Sequence, residues 1–418
     1  MNTKNLLVAL LFFLLPAALL QAQDALILQK VKEANNDLMA LQCYLHERPE
    51  LPGKEYETTK FLQAEILKLG LPITQVPGTG FFAVLDTKRP GKTIGLRTDI
   101  DGLPIAESET NLKQKKLYLS QSKGISHLCG HDGHMALVLE AAKILTGMAD
   151  QLKGKIVFIF EEGEETSSGI DAMVEALRPL HIDAIYGNHL KSNLESGQLF
   201  IQEGPIMAGT GTLAFDVVGR GGHASRPDLS INPVFAAAHI LTGIAVAWNN
   251  QRDITKTVTL GITQVQGSEM SNIIPNTAFV GGTVRFFDRE EVEKCFEMVQ
   301  RVAKNIAAAH NCEVVFRETN RVTLNPVVND TQLTQFTREV VERIYPGRVV
   351  TGEGHIWYGA ESFSKYSQLA PTVFIFPGIK NETLGSGAEH HNDKFDIDPQ
   401  ALQYALGAML QFAVNYLR

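Results

Sequence analysis

The sequence predicts an α/β chain of two domains, the first interrupted by an α+β insert. Three observations carry this. The run Lys155-Ile-Val-Phe-Ile-Phe160 is almost continuously apolar, as a strand buried on both faces should be, and it ends in the acidic cluster Glu161-Glu-Gly-Glu-Glu165. Further short strands alternate with helical segments and end in polar chemistry, the mark of a sheet that binds ligands beyond the carboxyl ends of its strands. Between Thr212 and Arg317 the pattern instead reads βαββαβ, the order of a ferredoxin-like sandwich. With 418 residues, 44% of them hydrophobic, the chain is too long for one core and rich enough for two.

The elements follow in order. Lys4 precedes an apolar run, Leu6 to Leu20, that leads to Leu20-Gln-Ala22. A charged start, an apolar middle and a small-residue exit make a secretory leader over residues 1–22, so the mature chain is expected to be secreted or periplasmic. The run is shorter than the roughly 20 residues a membrane span needs and is broken by Pro16, so no stable membrane anchor is expected after cleavage. Ala25 to Arg48 reads as a helix with Leu38, Leu41 and Leu45 on its apolar side, stopped by Pro49. Glu55 to Leu69 is a second helix, ended by Gly70. Strands are expected at Phe81–Leu85 and Thr93–Leu96, the latter entering Arg97-Thr-Asp-Ile-Asp101, and at Asp183–Gly187, entering Asn188-His189.

The insert, residues 206–320, takes its strands from Thr212–Val218, Thr257–Val265, Ala278–Phe287 and Glu313–Arg317, and its helices from Pro233–Ala247 and Arg289–His310. Past Asn325-Pro326 the helix–strand alternation resumes, so residues 23–205 and 321–418 form one discontinuous domain. A net charge of −8 argues against nucleic acid or anionic membranes as partners. Four cysteines are few for a disulfide scaffold, and Cys295 and Cys312, in or beside a helical pattern, are expected as buried thiols.

The stretch His127-Leu-Cys-Gly-His-Asp-Gly-His134 sets a thiol, three imidazoles and a carboxylate just ahead of an apolar helical run, Met135 to Leu145. A Cys-x-His pair can aim a thiolate and an imidazole at one centre, and these are ligands that late first-row metals prefer. Three other clusters could join it: Glu164 with Glu165, His189, and the tandem His390-His391. Adjacent glutamates after a buried strand allow one carboxylate to ligate while its neighbour stays free as a base.

These motifs resemble the M20 metallopeptidases, in particular the amidohydrolase branch that holds hippurate hydrolases and plant auxin-conjugate hydrolases. The resemblance spans essentially the whole mature chain. It rests on Leu45-His-Glu-Arg-Pro-Glu50 with Glu55 and Thr58, Gly95-Leu-Arg-Thr-Asp-Ile-Asp-Gly-Leu-Pro104, and His127-Leu-Cys-Gly-His-Asp132. Glu164-Glu165, Gly187-Asn-His189 and Gly219-Arg-Gly-Gly-His-Ala224 extend it, as do Asn272-Ile-Ile-Pro275, Gly282-Thr-Val-Arg285 and His391-Asn392.

The resemblance implies a zinc-peptidase-like catalytic domain holding two divalent metal ions, zinc or manganese with cobalt also suitable. Cys129, His131, Glu165, His189 and His391 would be the ligands, with Cys129 bridging. His391 is chosen over His390 because Asn392 follows it in the family's order. Glu164 would be the general base, taking a proton from the attacking water and handing it to the departing amine. Asp101 would orient an imidazole ligand. His223 would help hold the polarised carbonyl oxygen, often from the partner subunit, which implies a homodimer joined through the insert acting as a lid. Asn272 and Arg285 are candidates for a substrate carboxylate, since Arg offers a forked donor set.

Departures from the family pattern are also visible. Glu161-Glu162-Gly163 replaces the common Gln-Pro-Ala, Glu361-Ser-Phe363 stands for Glu-Asp-Phe, and Asp393 replaces the usual Pro after His-Asn. Glu161 and Glu162 are expected either beside the metal centre, disfavouring anionic substrates, or in solvent. The expected activity is hydrolysis of N-acyl amino acids or similar small amide conjugates. A dipeptide-cleaving exopeptidase and a catalytically inactive binding protein of the same fold are the alternatives, and retention of Glu164 and all five ligands weighs against the last.

Overall fold

A computed structural model describes residues 3–418, with side chains from residue 20 onward. The predicted leader, residues 1–22, therefore lies almost entirely outside the described side chains. Among the described residues no helix is long and apolar enough to cross a membrane. The chain divides into two compact units: unit 1 runs to Gly204 and adds Val328–His355 and Lys365–Arg418, while unit 2 is Pro205–Val327 with Ile356–Ser364.

Unit 1 begins with α1 (Thr3–His46), which starts upstream of the expected Ala25. From its described part Ile27, Val31, Ala34, Leu38 and Leu45 are buried, a spacing of three and four residues that places one stripe against the core. Next come α2 (Tyr56–Lys68), β1 (Ile73–Gln75), β2 (Phe81–Asp86) and β3 (Thr93–Asp99). A long irregular stretch leads to α3 (His131–Gly147), buried on every side from His131 to Ala142 because it lies inside the unit between other helices and the sheet. β4 (Lys155–Glu161), α4 (Ile170–Leu177), β5 (Ala184–Asn188), β6 (Lys191–Glu195) and β7 (Leu199–Phe200) follow.

Unit 2 starts in β8 (Gly204–Met207) and continues through β9 (Gly209–Val218), β10 (Gly222–His223) and α5 (Pro233–Gln251). β11 (Val258–Gln266), β12 (Ile273–Ile274), β13 (Thr277–Phe286), α6 (Arg289–Ala309), β14 (Glu313–Phe316) and β15 (Arg321–Leu324) complete it. Its sheet is antiparallel in the order β11-β13-β9-β14, the ferredoxin-like arrangement that the βαββαβ reading predicts, with β15 an added strand on β9. Leu213, Phe215 and Val217 of β9 meet Ile240 and Ile244 of α5 and Val299 and Ala303 of α6 in its core. Residues 356–364, assigned from sequence to the catalytic domain, belong to unit 2: Ala208 N–H donates to Trp357 O at 3.0 Å, and Met207 pairs with Trp357.

The chain then returns through β16 (Val327–Asn329), α7 (Thr331–Ile344), β17 (Val349–Val350), β18 (Thr372–Lys380) and α8 (Pro399–Tyr416). The mixed sheet of unit 1 has the order β1-β2-β4-β3-β5-β18-β7-β17, with β6 also on β18. Its centre, β4-β3-β5-β18, is parallel, so the carboxyl ends of these strands open at one edge. The register sets Asp99 of β3 opposite Glu161 of β4. Cys43, Cys129, Cys295 and Cys312 are all free thiols, and the last three are buried.

Candidate metal centre and catalytic groups

The chemistry collects where β3, β4 and β5 end. Just beyond β3, Asp101 is fully buried and serves three groups at once. Its backbone oxygen lies 2.9 Å from His131 Nδ1 and its Oδ1 lies 3.2 Å from the same nitrogen. Oδ1 also accepts from the Glu164 N–H at 3.2 Å, and Oδ2 accepts from the Glu165 N–H at 3.0 Å. One carboxylate thus fixes an imidazole and the turn that carries both glutamates.

With its Nδ1 engaged by Asp101, His131 presents Nε2, a buried atom without a hydrogen-bond partner. His189, just past β5, donates from Nδ1 to Leu190 O at 2.8 Å, and its Nε2 lies 3.4 Å from Cys129 Sγ. Gly130, at φ +92°, turns the chain between Cys129 and His131; that left-handed conformation suits glycine. His391 sits at φ +63°, uncommon for a side chain with a Cβ, and is tied by its N–H to Leu128 O at 2.9 Å. Its Nε2 lies 3.2 Å from the buried Glu165 Oε1. The other member of the tandem is engaged elsewhere. His390 Nε2 accepts from the Ser192 N–H at 3.2 Å and its ring packs on Phe395.

The ligand atoms of Cys129, His131 and His189 all lie within 4.8 Å of one another, as do those of Cys129, Glu165 and His391. The two triplets share Cys129. A third set joins His131 and Glu165 to Glu164. Sulfur, imidazole and carboxylate donors gathered this closely, with the buried His131 Nε2 unbonded, would suit divalent cations. The electrostatics agree. Burial pushes the Cys129 thiol far up, and the neighbouring Glu165 and Glu164 charges push it further, so a cation is needed to hold it as thiolate. Burial alone would lower His131, yet the Asp99 and Asp101 carboxylates hold it well above the ordinary imidazole range, the response of a site rich in negative charge.

Asp99 and His134 also lie close to His131, but their polar atoms are taken. Asp99 Oδ1 meets His134 Nδ1 at 2.8 Å, and Asp99 Oδ2 accepts from Arg97 at 2.9 Å. His134 Nε2 accepts from the Leu190 N–H at 3.0 Å. Arg97, itself buried, donates to Glu161 Oε2 at 2.8 Å, which also receives the Tyr366 hydroxyl at 2.8 Å. Sequence reasoning missed this layer, although the alternation of Arg97 and Asp99 along β3 places two charged groups on one face. Of the two places expected for the extra glutamates, solvent is excluded: both are buried. Glu161 neutralises Arg97, and Glu162 Oε2 accepts from the Thr79 N–H.

In unit 2, β10 and β12 pair with His223 opposite Ile273, and the Ala224 N–H donates to Asn272 O at 3.0 Å, so His223 and Asn272 share one ribbon. The Ser225 N–H donates to His223 Nδ1 at 3.2 Å, and Ser225 Oγ lies 2.8 Å from the same atom. A backbone N–H can only donate, so Nδ1 accepts and a neutral His223 carries its proton on Nε2. Arg285 lies in β13 opposite Thr210 and donates to the Thr210 and Thr283 hydroxyls; no carboxylate pairs with it among the described residues.

The model of the peptidase family M20/M25/M40 matches residues 95–415. The chain is 33% identical to a thermostable carboxypeptidase of Saccharolobus solfataricus over 92% of its own length and 97% of the relative's. It is 32% identical to an N-acetylcysteine deacetylase of Bacillus subtilis, covering 92% and 98%. Among solved structures it superimposes on a dinuclear metal binding peptidase of the M20 family from Bacillus subtilis with a TM-score of 0.78 and 31% identity, covering 92% of this chain and 99% of that one.

Proposed function

The chain belongs to the M20/M25/M40 peptidase family, hydrolases of C–N bonds, and from that premise we propose that it is a metal-dependent amidohydrolase cleaving N-acyl amino acids or related small conjugates. The observation that carries this reading is the pair of ligand triplets sharing Cys129, with Glu164 beside them. Cys129, His131, Glu165, His189 and His391 would hold the metals, zinc by the preference of the thiolate, or manganese or cobalt by that of the other donors. Bound there, two such ions supply Lewis acidity for the amide carbonyl and acidify water toward a pKa of about 7.

The chain's own groups do the rest. Glu164 takes the proton of the attacking water and delivers it to the departing amine nitrogen as the C–N bond breaks. Asp101 keeps His131 and the Glu164–Glu165 turn in place. His223, with its proton on Nε2, donates to the carbonyl oxygen, and Asn272 and Arg285 receive the substrate's carboxylate. In this reading His223 comes from the partner of a homodimer joined through unit 2. β11 is an edge strand of that sheet, and Val265 on it and Phe235 on α5 are exposed, the surface such a dimer would cover. Export through the leader is proposed on the sequence pattern of residues 1–22 alone.

The test is release of free amino acid from a panel of N-acyl amino acids and dipeptides by protein stripped of metal and reloaded with zinc, manganese or cobalt. Metal-restored cleavage of the acyl amino acids is the expected result. Cleavage of peptides alone would favour the exopeptidase alternative, to which the likeness to a carboxypeptidase gives weight. Two metals bound per chain with no turnover of any substrate would favour the inactive binding protein.

A further inference from the structure

We propose that Glu55 is a positioning residue for the general base, holding Glu164 through the peptide that precedes it. The proposal rests on the reading of Glu164 as the base. Glu55 occupies the N-cap position of α2, yet its side chain makes no capping bond. That task falls to Glu50, whose Oε2 accepts from the Thr58 N–H at 2.8 Å. The Glu55 carboxylate is instead fully buried, and among the described residues no cation pairs with it. A buried carboxylate without a cation is costly unless its oxygens are well bonded. Both are: Oε1 accepts from the Gly163 N–H at 2.9 Å and Oε2 from the Thr79 hydroxyl at 2.7 Å.

Gly163 is the residue before Glu164. It lies in the left-handed region at φ +60°, and a Cβ there would meet Ser168 Oγ at 2.1 Å. From it, three successive N–H groups are held by two carboxylates on separate parts of the chain: Gly163 by Glu55, Glu164 and Glu165 by Asp101. Thr79 braces the far side. Its hydroxyl binds Glu55, its N–H binds Glu162, and its carbonyl accepts from the Thr59 hydroxyl at 2.8 Å. The orientation of the 162–163 peptide sets where the Glu164 side chain leaves the turn, and that orientation is what Glu55 fixes.

Asp101 and Glu55 divide the work. Asp101 also holds His131, so losing it disturbs a metal ligand; Glu55 touches no proposed ligand and steadies only the approach to the base. Displacing a catalytic group by about 1 Å costs on the order of a hundredfold in rate. Glu55→Ala in the full chain should therefore lower kcat by about ten- to a hundredfold, with KM within about threefold and metal content per chain unchanged. Glu55→Gln should recover most of the loss, since its amide oxygen can accept from Gly163 and its NH2 can donate to Thr79. Thr79→Val, which removes one brace, should fall between them with the same split, and it decides the matter if Glu55→Ala does not fold.

Wild-type kcat in Glu55→Ala overturns the proposal, as does a loss of metal proportional to the loss of activity, or a Gln variant no better than the Ala variant. If Glu55→Ala does not fold, wild-type kcat in Thr79→Val overturns it too. Glu164→Ala, run alongside, separates the two ideas. Activity retained there removes the base assignment itself, whereas an inactive Glu164→Ala with a normal Glu55→Ala removes only the role of Glu55.

Discussion

Glu164 and Glu165 are neighbours in sequence, and the proposed mechanism gives them opposite duties that a single pair of substitutions distinguishes. Glu164→Ala should abolish turnover and leave bound metal unchanged, as read by metal analysis of the purified variant; Glu165→Ala should lose metal together with activity. His223→Ala should lower kcat by about a hundredfold, the order of a lost oxyanion donor, with little change in the thermal unfolding midpoint, because the side chain is exposed and among the described residues its hydrogen bonds go to the neighbouring Ser225. At this scale the sequence was informative about ligand types and silent about partners. A Cys-x-His pair, paired glutamates and a His after a strand could be recognised by chemistry alone. Where Glu161 and Glu162 point depended on Arg97 and Thr79, which lie far away in sequence.

Between elements, the joint of α1 with α3 offers a pH-dependent contact. His46, the last residue of α1, lies 2.9 Å from Asp132 in the first turn of α3 and 3.2 Å from Glu107. Each charge has the sign its helix end favours. Burial alone would lower His46, but the two carboxylates hold it up at about 9, above its ordinary 6.5. Its contribution to stability is therefore complete below pH 6.5 and is lost as pH rises through about 9. On the acid side, burial would raise Glu107, but His46 and Lys116 hold it at about 2; its contribution is complete above 4.5 and lost as pH falls through about 2. His46→Ala should cost about 3 kcal/mol between pH 4.5 and 6.5, and the gap to wild type should narrow toward pH 9, as read from denaturant unfolding across pH.

The elements themselves were readable where periodicity was strong. β4 announces itself by its apolar run, and the insert by its βαββαβ order. Residues 356–364 carry no such signal, since their place in unit 2 comes from backbone contacts of Trp357 and Gly359 with Ile206, Met207 and Ala208.

Over the whole molecule, the metal centre is a concentration of negative charge that the folded chain balances only in part. Asp99, Asp101, Glu164 and Glu165 crowd the space around Cys129 and His131; Arg97 pairs with Asp99 and His391 lies beside Glu165. Chelation should therefore lower the unfolding temperature as well as abolish activity, and readdition of zinc or manganese should restore both; ligand linkage gives about 4 kcal/mol at a thousandfold excess over Kd. An unchanged unfolding temperature after complete metal removal would mean that the apo site is already compensated.

The order of the central sheet also has a consequence in time. β18 lies between β5 and β7, yet it is synthesised only after unit 2 has been made, and His391 follows it. A growing chain must hold the parallel edge of β5 open while more than a hundred intervening residues emerge, and an open apolar edge is a template for pairing with other chains. In the proposed mechanism the metal site is thus completed late, when the closing strand slots in beside β5 and His391 follows it. Interrupted synthesis would leave a half-sheet prone to aggregate, with four of the proposed ligands present and His391 never delivered.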